Sequence, residues 1–302
     1  MLAEAVTTYV AVRRATGYAF RSEATLLQSF AAFADARSPA VIRTDVAIAW
    51  ARLARSTTQR ARRLGAVTRL ARYLRAEDRR HDVPPAIFGP ERGPRPVPCI
   101  LSPEHVQQLV RAASGTGYRT LRRETYRTLF ALLAATGLRV SEAMHLRLDD
   151  VTPDGLIIHC TKFRKSRLVP LHDTVRAGLD RYLQQRRPYA PACAHLFVSL
   201  RRKPLLMQDV ETAFQTAVRA CGWPPRPARA RPTPHSLRHT FAVRAFLACP
   251  DGRDAITQHM LALSTYLGHA KVADTYWYLE AVPELMTDIA DRCEHFVMGA
   301  PS

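Results

Sequence analysis

Lysine is nearly absent from this chain. It occurs at only four positions, and arginine supplies the rest of the 44 basic residues. An arginine guanidinium keeps its proton at working pH, whereas a lysine ammonium releases one when its surroundings lower its pKa. The few lysines are therefore candidates for selected chemical roles. Two of them, Lys162 and Lys165, lie three residues apart.

The chain also lacks paired cysteines and long apolar runs. Its 6 cysteines are widely spaced and form no C-x-x-C pair, which argues against a zinc site or a redox centre and fits a reducing compartment. No stretch approaches the roughly 18 uninterrupted apolar residues of a membrane span, and the amino terminus lacks a signal-peptide pattern. We therefore expect a soluble, cytoplasmic protein with no membrane partner.

Acidic residues are scarce relative to basic ones. The chain has 26 Asp and Glu against 44 Lys and Arg, a formal net charge of +18. Such an excess repels itself unless a polyanion is near, and neutralising phosphates releases counterions that favour binding. The charge indicates a nucleic-acid partner. A genome that favours arginine is the alternative explanation of the charge alone.

The length of 302 residues suffices for two domains, each with its own core. Residues 1–88 carry apolar residues at helical spacing, which predicts a small all-helical domain. Prolines and glycines then concentrate, so that residues 89–100 are predicted to be a linker. Residues 101–302 form the predicted second domain.

One helix of the first domain has a clear start and a basic stripe. Ser56 is predicted to cap it, and Arg69, Arg72 and Arg75 follow at spacings that keep them on one side. This stripe is either a nucleic-acid contact or an ordinary solvated face.

The second domain is predicted to be mainly α-helical with one small antiparallel β-sheet. Ser102 and Pro103 have the residue types of an N-cap and a first helical position. The alternation from Leu156 to Leu171 predicts a β-hairpin. The other predicted elements are helices over Tyr126–Ala135 (closed by Gly137), Ser141–Leu148, Val175–Arg186, Met207–Cys221, His235–Ala248 and Ala255–Leu267.

Two short segments place arginine where a phosphate could bind. In Thr136-Gly137-Leu138-Arg139-Val140-Ser141-Glu142, the glycine ends one helix and Arg139 begins the next, where a guanidinium and a helix amino terminus can converge on a phosphate. Alternatively, Arg139 simply pairs with Glu142. In His235-Ser236-Leu237-Arg238-His239, His235 and Arg238 share a helix face, whereas His239 is expected to point elsewhere in a structural role.

Two further segments carry lysines, a histidine and tyrosines. The first is Thr161-Lys162-Phe163-Arg164-Lys165-Ser166-Arg167-Leu168-Val169-Pro170-Leu171, a basic turn within the predicted hairpin. The second runs from Leu267-Gly268-His269 to Tyr278, which lies nine residues after His269. Tyr276 lies two residues before Tyr278, so on a helix it would face a different direction.

In order and spacing these four segments resemble the active-site motifs of tyrosine recombinases of the phage-integrase type. Those motifs are T-G-L-R-x-S-E, G-K-G-x-K-x-R followed by V-P-L, H-x-x-R, and L-G-H followed by the nucleophilic tyrosine. The resemblance covers nearly the whole second domain and implies that residues 1–88 are a SAM-like core-binding domain that contacts DNA. The catalytic residues that it implies are Arg139, Lys162, His235, Arg238, His269 and Tyr278.

The resemblance also implies a reaction. Tyr278 would attack a DNA phosphate to give a 3′-phosphotyrosine and a free 5′ hydroxyl, so neither a metal, a cofactor nor ATP is required. Arg139 and Arg238 would stabilise the transition state, with a hydrogen bond from His269, and a lysine would protonate the leaving oxygen. Thr161 and Phe163 replace the usual glycines, so either Lys162, which matches the motif, or Lys165 is that acid.

The implied partners are double-stranded recombination sites and other recombinase subunits, in a homotetramer or with related recombinases. An amphipathic segment, Pro283–Val297, would either dock on a neighbouring subunit or pack on its own. Two alternatives are a type IB topoisomerase-like DNA-relaxing enzyme and a non-catalytic DNA-binding accessory protein of the same fold. The DNA target, and the role in integration, transposition, resolution or dimer unlinking, stay open.

Overall fold

A computed structural model describes residues 2–18, 20–37, 40–91, 98–115, 121–159, 166–224, 231–248 and 253–268. The chain divides into two compact units, Met1–Arg95 and Pro96–Ser302. No helix in these ranges is both long enough and apolar enough to cross a membrane.

The first unit contains four helices in its described residues, and their apolar faces meet in one core. Leu27, Phe30 and Leu64 are almost fully buried, as the helical spacing predicts, and the ring of Phe30 packs edge-on against Trp50 at 5.4 Å between centroids. Ser56 caps the fourth helix, because its hydroxyl accepts a hydrogen bond from the Gln59 amide at 3.2 Å. The helices are α1 (Leu2–Ala15), α2 (Arg21–Asp35), α3 (Thr44–Arg52) and α4 (Thr57–Leu74).

The predicted basic stripe on α4 is partly neutralised within the first unit. The guanidinium of Arg69 forms ion pairs with Glu23 at 2.6 Å and with Glu91 at 2.5 Å. Arg75 lies just beyond the last residue of α4. Arg69 therefore has carboxylate partners of its own and does not present an unpaired charge to DNA.

The second unit is mainly helical with one three-stranded antiparallel sheet, which confirms the predicted fold class. Ser102 caps the first of its helices and Pro103 opens it. The helices are α5 (Pro103–Ala113), α6 (Leu121–Thr136), α7 (Val140–His145), α8 (Asp173–Tyr189), α9 (Met207–Ala220), α10 (Pro234–Leu247) and α11 (Arg253–Leu267).

The sheet joins β1 (Val151–Thr152), β2 (Gly155–Ile158) and β3 (Arg167–Val169) in that order. β2 and β3 pair Leu156 with Val169 and Ile158 with Arg167, so the predicted hairpin strands are present. Leu156, Ile158 and Val169 are buried in the core of this unit, whereas Leu168 on the other face is 50% exposed. The pleat therefore directs Arg167 to the same side as the core residues.

The predicted helix Ser141–Leu148 is wrong at its carboxyl end, because α7 stops at His145. Leu146 takes an extended conformation, and its carbonyl accepts a hydrogen bond from the Leu196 amide at 2.7 Å. The Leu148 amide donates to the Ala194 carbonyl at 2.9 Å. These tertiary backbone contacts, together with burial of Leu146, outweigh the local helical pattern.

The second core extends to residues that precede α5. Cys99 and Leu101, which flank the end of the predicted linker 89–100, are both buried in it. The Leu101 amide donates to the hydroxyl of Thr240 on α10 at 2.9 Å. This contact holds the start of the unit against the helix that carries His235 and Arg238.

Candidate active site

Arg238 is buried at the junction of two helix ends. The residue is 2% exposed, and its guanidinium donates to the carbonyls of Gly137 at 2.7 Å and Leu267 at 2.8 Å. Gly137 directly follows α6 and Leu267 is the last residue of α11. Carbonyls at the carboxyl end of a helix carry partial negative charge, so both contacts stabilise the cation.

Arg139 lies beside the same end of α11. One terminal nitrogen donates to the Gly268 carbonyl at 2.9 Å, and the other donates to the carboxylate of Glu142 at 2.7 Å. The interpretation that Arg139 pairs with Glu142 is correct, but the contact with Gly268 also joins it to another motif. Its side chain remains 29% exposed, so N–H donors stay accessible to a ligand.

The carboxylate of Glu142 holds two arginines. It accepts from Arg139 and, in an end-on bidentate contact, from the two terminal nitrogens of Arg167 at 3.2 and 2.8 Å. Its second oxygen also accepts from the Arg139 backbone amide at 2.9 Å. Burial acts to raise the pKa of Glu142, but hydrogen bonds and charges from Arg167 and Arg139 lower it overall, so the group is a carboxylate.

Two glycines allow these segments to approach one another. Both have left-handed backbones, with φ of +61° at Gly137 and +66° at Gly268. A Cβ atom on Gly137 would lie 2.4 Å from the ring of Phe241, and one on Gly268 would lie 2.7 Å from a terminal nitrogen of Arg167. Glycine is thus required at both helix ends by conformation and by space.

His235 stands at the exposed edge of this cluster. Desolvation first, and then the positive charges of Arg238 and Arg139, lower the pKa of His235 to about 4. The residue as a whole is exposed, but it lies one turn before Arg238 on α10 and so shares a helix face with that side chain, as the motif predicts. A neutral imidazole can accept a proton at neutral pH.

His239 does not point away from this cluster. Its ring packs edge-on against the ring of His235, with 4.5 Å between centroids. The expectation that it points elsewhere is therefore wrong, because residues four apart on a helix share a face. The contact supports the His235 ring, so a structural role for His239 stays a prediction.

The sequence and its relatives decide the family. Residues 100–284 match the phage integrase family. The chain is 39% identical over 302 residues to an integrase/recombinase of Sinorhizobium fredii, y4rB, with 96% of each chain covered. It is 30% identical to the tyrosine recombinase XerD of Caulobacter vibrioides, with 76% of this chain and 72% of that protein covered.

This chain belongs to the phage integrase family. It is a tyrosine-type site-specific recombinase, which confirms the enzyme class predicted from the four motifs. The fold agrees with that of the XerH site-specific recombinase, solved with its DNA substrate in a post-cleavage complex, at a TM-score of 0.65 and 18% identity. The match covers 90% of this chain and 79% of that one.

Three of the six predicted catalytic residues lie in the described structure. Arg139, His235 and Arg238 are brought together there. Among the described residues, no group of three or more His, Cys, Asp and Glu side chains is arranged to hold a metal ion. The motif residues that lie outside the described ranges are Lys162, Lys165, His269, Tyr276 and Tyr278, and their roles stay predictions.

The four motifs predict no role for Arg167, although it lies within the lysine motif. The available signal was the hairpin register, because Arg167 pairs with the buried Ile158 and so shares its inward face. A charged residue on an inward face needs hydrogen-bond partners, and a carboxylate is the one that also balances the charge of an arginine. Glu142, in the first motif, is that partner.

Proposed function

We propose that this recombinase cleaves and rejoins DNA strands through a 3′-phosphotyrosine intermediate formed by Tyr278. The supporting observation is that Arg139 and Arg238, which come from different motifs, both donate to carbonyls at the end of α11. Those carbonyls belong to Leu267 and Gly268, directly before His269. Guanidiniums gathered at one point are suited to the non-bridging oxygens of one phosphate.

The remaining roles follow from the chemistry of the side chains. A phenol with a pKa near 10 must lose its proton to attack phosphorus. His235 is proposed to accept it, because its imidazole is neutral and the negative charge of a bound phosphate would raise its pKa above the value of about 4 in the DNA-free protein, which makes it a stronger base. Lys162 is proposed to protonate the departing 5′ oxygen, and His269 to donate a hydrogen bond to the phosphate. The phosphotyrosine link conserves the energy of the broken bond, so a second 5′ hydroxyl reverses the step without ATP.

The substrate is proposed to be double-stranded DNA, contacted by both units. The net charge of +18 favours a polyanion, although Arg69 contributes less than the stripe on α4 predicts, because it is paired with carboxylates. Residues 1–88 are proposed to be the core-binding domain, residues 89–100 the linker and residues 101–302 the catalytic domain. The active assembly is proposed to be a homotetramer on paired sites.

A covalent trap tests the reaction without knowledge of the target site. Purified full-length protein is incubated with a pool of duplexes that carry a randomised core and a nick, so that the short cleaved fragment diffuses away. We expect adducts that survive detergent, whose DNA is then recovered by proteolysis and sequenced. Tyr278→Phe should yield none, whereas Tyr276→Phe should retain them.

Two outcomes would contradict the proposal. If the wild-type protein forms no adduct with any member of the pool, the phosphotyrosine reaction is wrong. If Tyr276→Phe abolishes the adduct and Tyr278→Phe does not, the nucleophile is wrongly assigned. The selected duplex then serves for recombination between paired sites and for relaxation of a supercoiled plasmid, and relaxation without recombination would favour a topoisomerase-like enzyme.

A further inference from the structure

We propose that Arg167 is a positioning residue for cleavage: it occupies the Glu142 carboxylate and so keeps the Arg139 guanidinium turned toward the scissile phosphate. The inference rests on the proposed function, because it requires that Arg139 bind that phosphate. Arg167 acts through Glu142 and does not itself contact the reacting atoms.

The strand register commits Arg167 to the interior of the second unit. It pairs with Ile158 across the hairpin, and its side chain is 12% exposed, whereas its neighbour Leu168 faces outward and is 50% exposed. A buried guanidinium needs hydrogen-bond acceptors, and a carboxylate also balances its charge. The Glu142 side chain, itself 9% exposed, supplies that charge at 2.8 Å.

The geometry of the shared carboxylate restricts Arg139. Arg167 approaches Glu142 end-on, with one terminal nitrogen on each oxygen at 3.2 and 2.8 Å. Arg139 therefore reaches one oxygen only, through a single terminal nitrogen at 2.7 Å, and turns its other terminal nitrogen to the Gly268 carbonyl at 2.9 Å. If Arg167 were absent, both carboxylate oxygens would be open to Arg139, and formation of the favoured bidentate pair would rotate the Arg139 guanidinium toward Glu142.

Charge leads to the same conclusion. One arginine on a carboxylate makes a neutral pair, whereas Arg139 and Arg167 together leave one positive charge on the group. In the second case the group attracts a phosphate. Both guanidiniums also lie against Gly268, since a Cβ atom there would be 2.7 Å from Arg167 Nη1 and 3.6 Å from Arg139 Nη1. The pair thus joins β3, α7 and the end of α11.

The test is single-turnover cleavage of the duplex selected by the covalent trap, at saturating protein. Arg167→Met should slow the adduct-forming step by up to about 100-fold, because misplacement of an active-site group by about 1 Å can cost on the order of 100-fold in rate. DNA affinity should change little. Adding Glu142→Gln to Arg167→Met should recover part of the rate, because a neutral amide no longer captures Arg139 but still accepts from its backbone amide.

A second substrate separates positioning from loss of structure. A methylphosphonate at the scissile position lacks one negative charge, so its cleavage depends less on the charge and direction of Arg139. The defect of Arg167→Met should therefore shrink on this substrate. The matched control is Arg127→Met, which removes an arginine paired at 2.9 Å with the buried Glu124 on α6 and should leave both cleavage rates unchanged.

The outcomes are distinct. Equal loss on both substrates, with no recovery in the double variant, would overturn the positioning role and leave Arg167 as a structural residue. If Arg167→Met does not fold, Arg167→Lys tests the same idea, because lysine retains the charge but not the bidentate contact. Its cleavage defect should be smaller than that expected for Arg167→Met and should occur only on the phosphodiester. If the wild-type protein forms no adduct on either substrate, the proposed function fails first, and the inference fails with it.

Discussion

The buried guanidinium of Arg238 donates to the carbonyl of Gly137, 101 residues earlier in the chain, and this bond fixes the end of α6 to α10. Its second contact, with Leu267, adds the end of α11. A residue proposed to bind the scissile phosphate is therefore also a residue that holds three helices together. Stability and catalysis are coupled at this site, and this coupling determines which variants are informative.

Replacing Arg238 by methionine should cost stability as well as cleavage. The carbonyls of Gly137 and Leu267 would lose their partner, and each unsatisfied buried group costs about 1–3 kcal/mol. Urea denaturation of the full chain measures the loss. The control is Arg176→Met, which removes one exposed contact with the Pro153 carbonyl and should change the free energy of unfolding by less than about 0.5 kcal/mol. Equal effects of the two substitutions would contradict the structural role of Arg238.

Replacing Gly137 by alanine should be more harmful than the same change at Gly222. Both backbones are left-handed, with φ of +61° and +63°, but a Cβ atom meets Phe241 at 2.4 Å at the first position and nothing within 4 Å at the second. Gly222→Ala should therefore cost about 1–2 kcal/mol from conformation alone. Gly137→Ala should add about 1–3 kcal/mol from overpacking.

Denaturant midpoints of the two glycine variants give the comparison. If Gly137→Ala proves no less stable than Gly222→Ala, the close approach of α10 to the end of α6 is wrong.

The imidazole of His235 should titrate well below its ordinary pKa in the DNA-free protein. Desolvation and the charges of Arg238 and Arg139 lower the pKa from 6.5 to about 4, so the unfolded chain takes up this proton first as the pH falls. The free energy of unfolding should therefore fall as the pH drops from about 6.5 to 4, and it should fall more in the wild-type protein than in a His235→Asn variant, which lacks this titration. Histidine resonances followed by NMR give the pKa directly.

Removing one of the two charges tests the cause of this shift. Arg139→Met should move the pKa of His235 upward, toward 6.5, because one repelling cation is gone. A pKa that stays near 6.5 in the wild-type protein would contradict the proposed surroundings of this histidine.

The leaving-group acid can be assigned between the two hairpin lysines by chemistry at the 5′ position. In a substrate with sulfur in place of the bridging 5′ oxygen, the 5′ group leaves as a thiolate. A thiol has a pKa of about 8.5, so this leaving group does not need a proton from the enzyme. Lys162→Ala should be slow on ordinary DNA and regain its rate on the sulfur substrate. Lys165→Ala should be close to wild type on both, and the reverse pattern would assign the acid to Lys165.

The placement of Arg139 at a helix start, and of His235 and Arg238 on one helix face, was predictable from sequence because these motifs are local. The spacing of His235 and Arg238 on a helix, and of Arg139 after a helix-ending glycine, follows from backbone geometry. The sharing of Glu142 by Arg139 and Arg167 was not predictable in this way. It depends on a strand register that places Arg167 opposite Ile158, and on a contact between residues 25 apart in the chain.

The predicted helix boundary is wrong where tertiary contacts replace local ones. The pattern from Ser141 to Leu148 continues as a helix by spacing alone, yet Leu146 and Leu148 pair with the Ala194–Leu196 segment. A periodicity argument contains no information about that distant segment. The same holds for Arg69, whose carboxylate partners lie on α2 and beyond the end of α4.

The backbone carbonyls at the carboxyl ends of α6 and α11 affect the thermodynamics of the proposed DNA binding. They hold Arg238 in place during folding, so the entropy of fixing this long side chain is lost before any substrate arrives. If Arg238 binds the scissile phosphate as proposed, the phosphate meets a side chain that is already ordered and largely desolvated, and association carries little of that ordering cost. The entropic cost of ordering Arg238 therefore lowers the free energy of unfolding and does not weaken DNA binding.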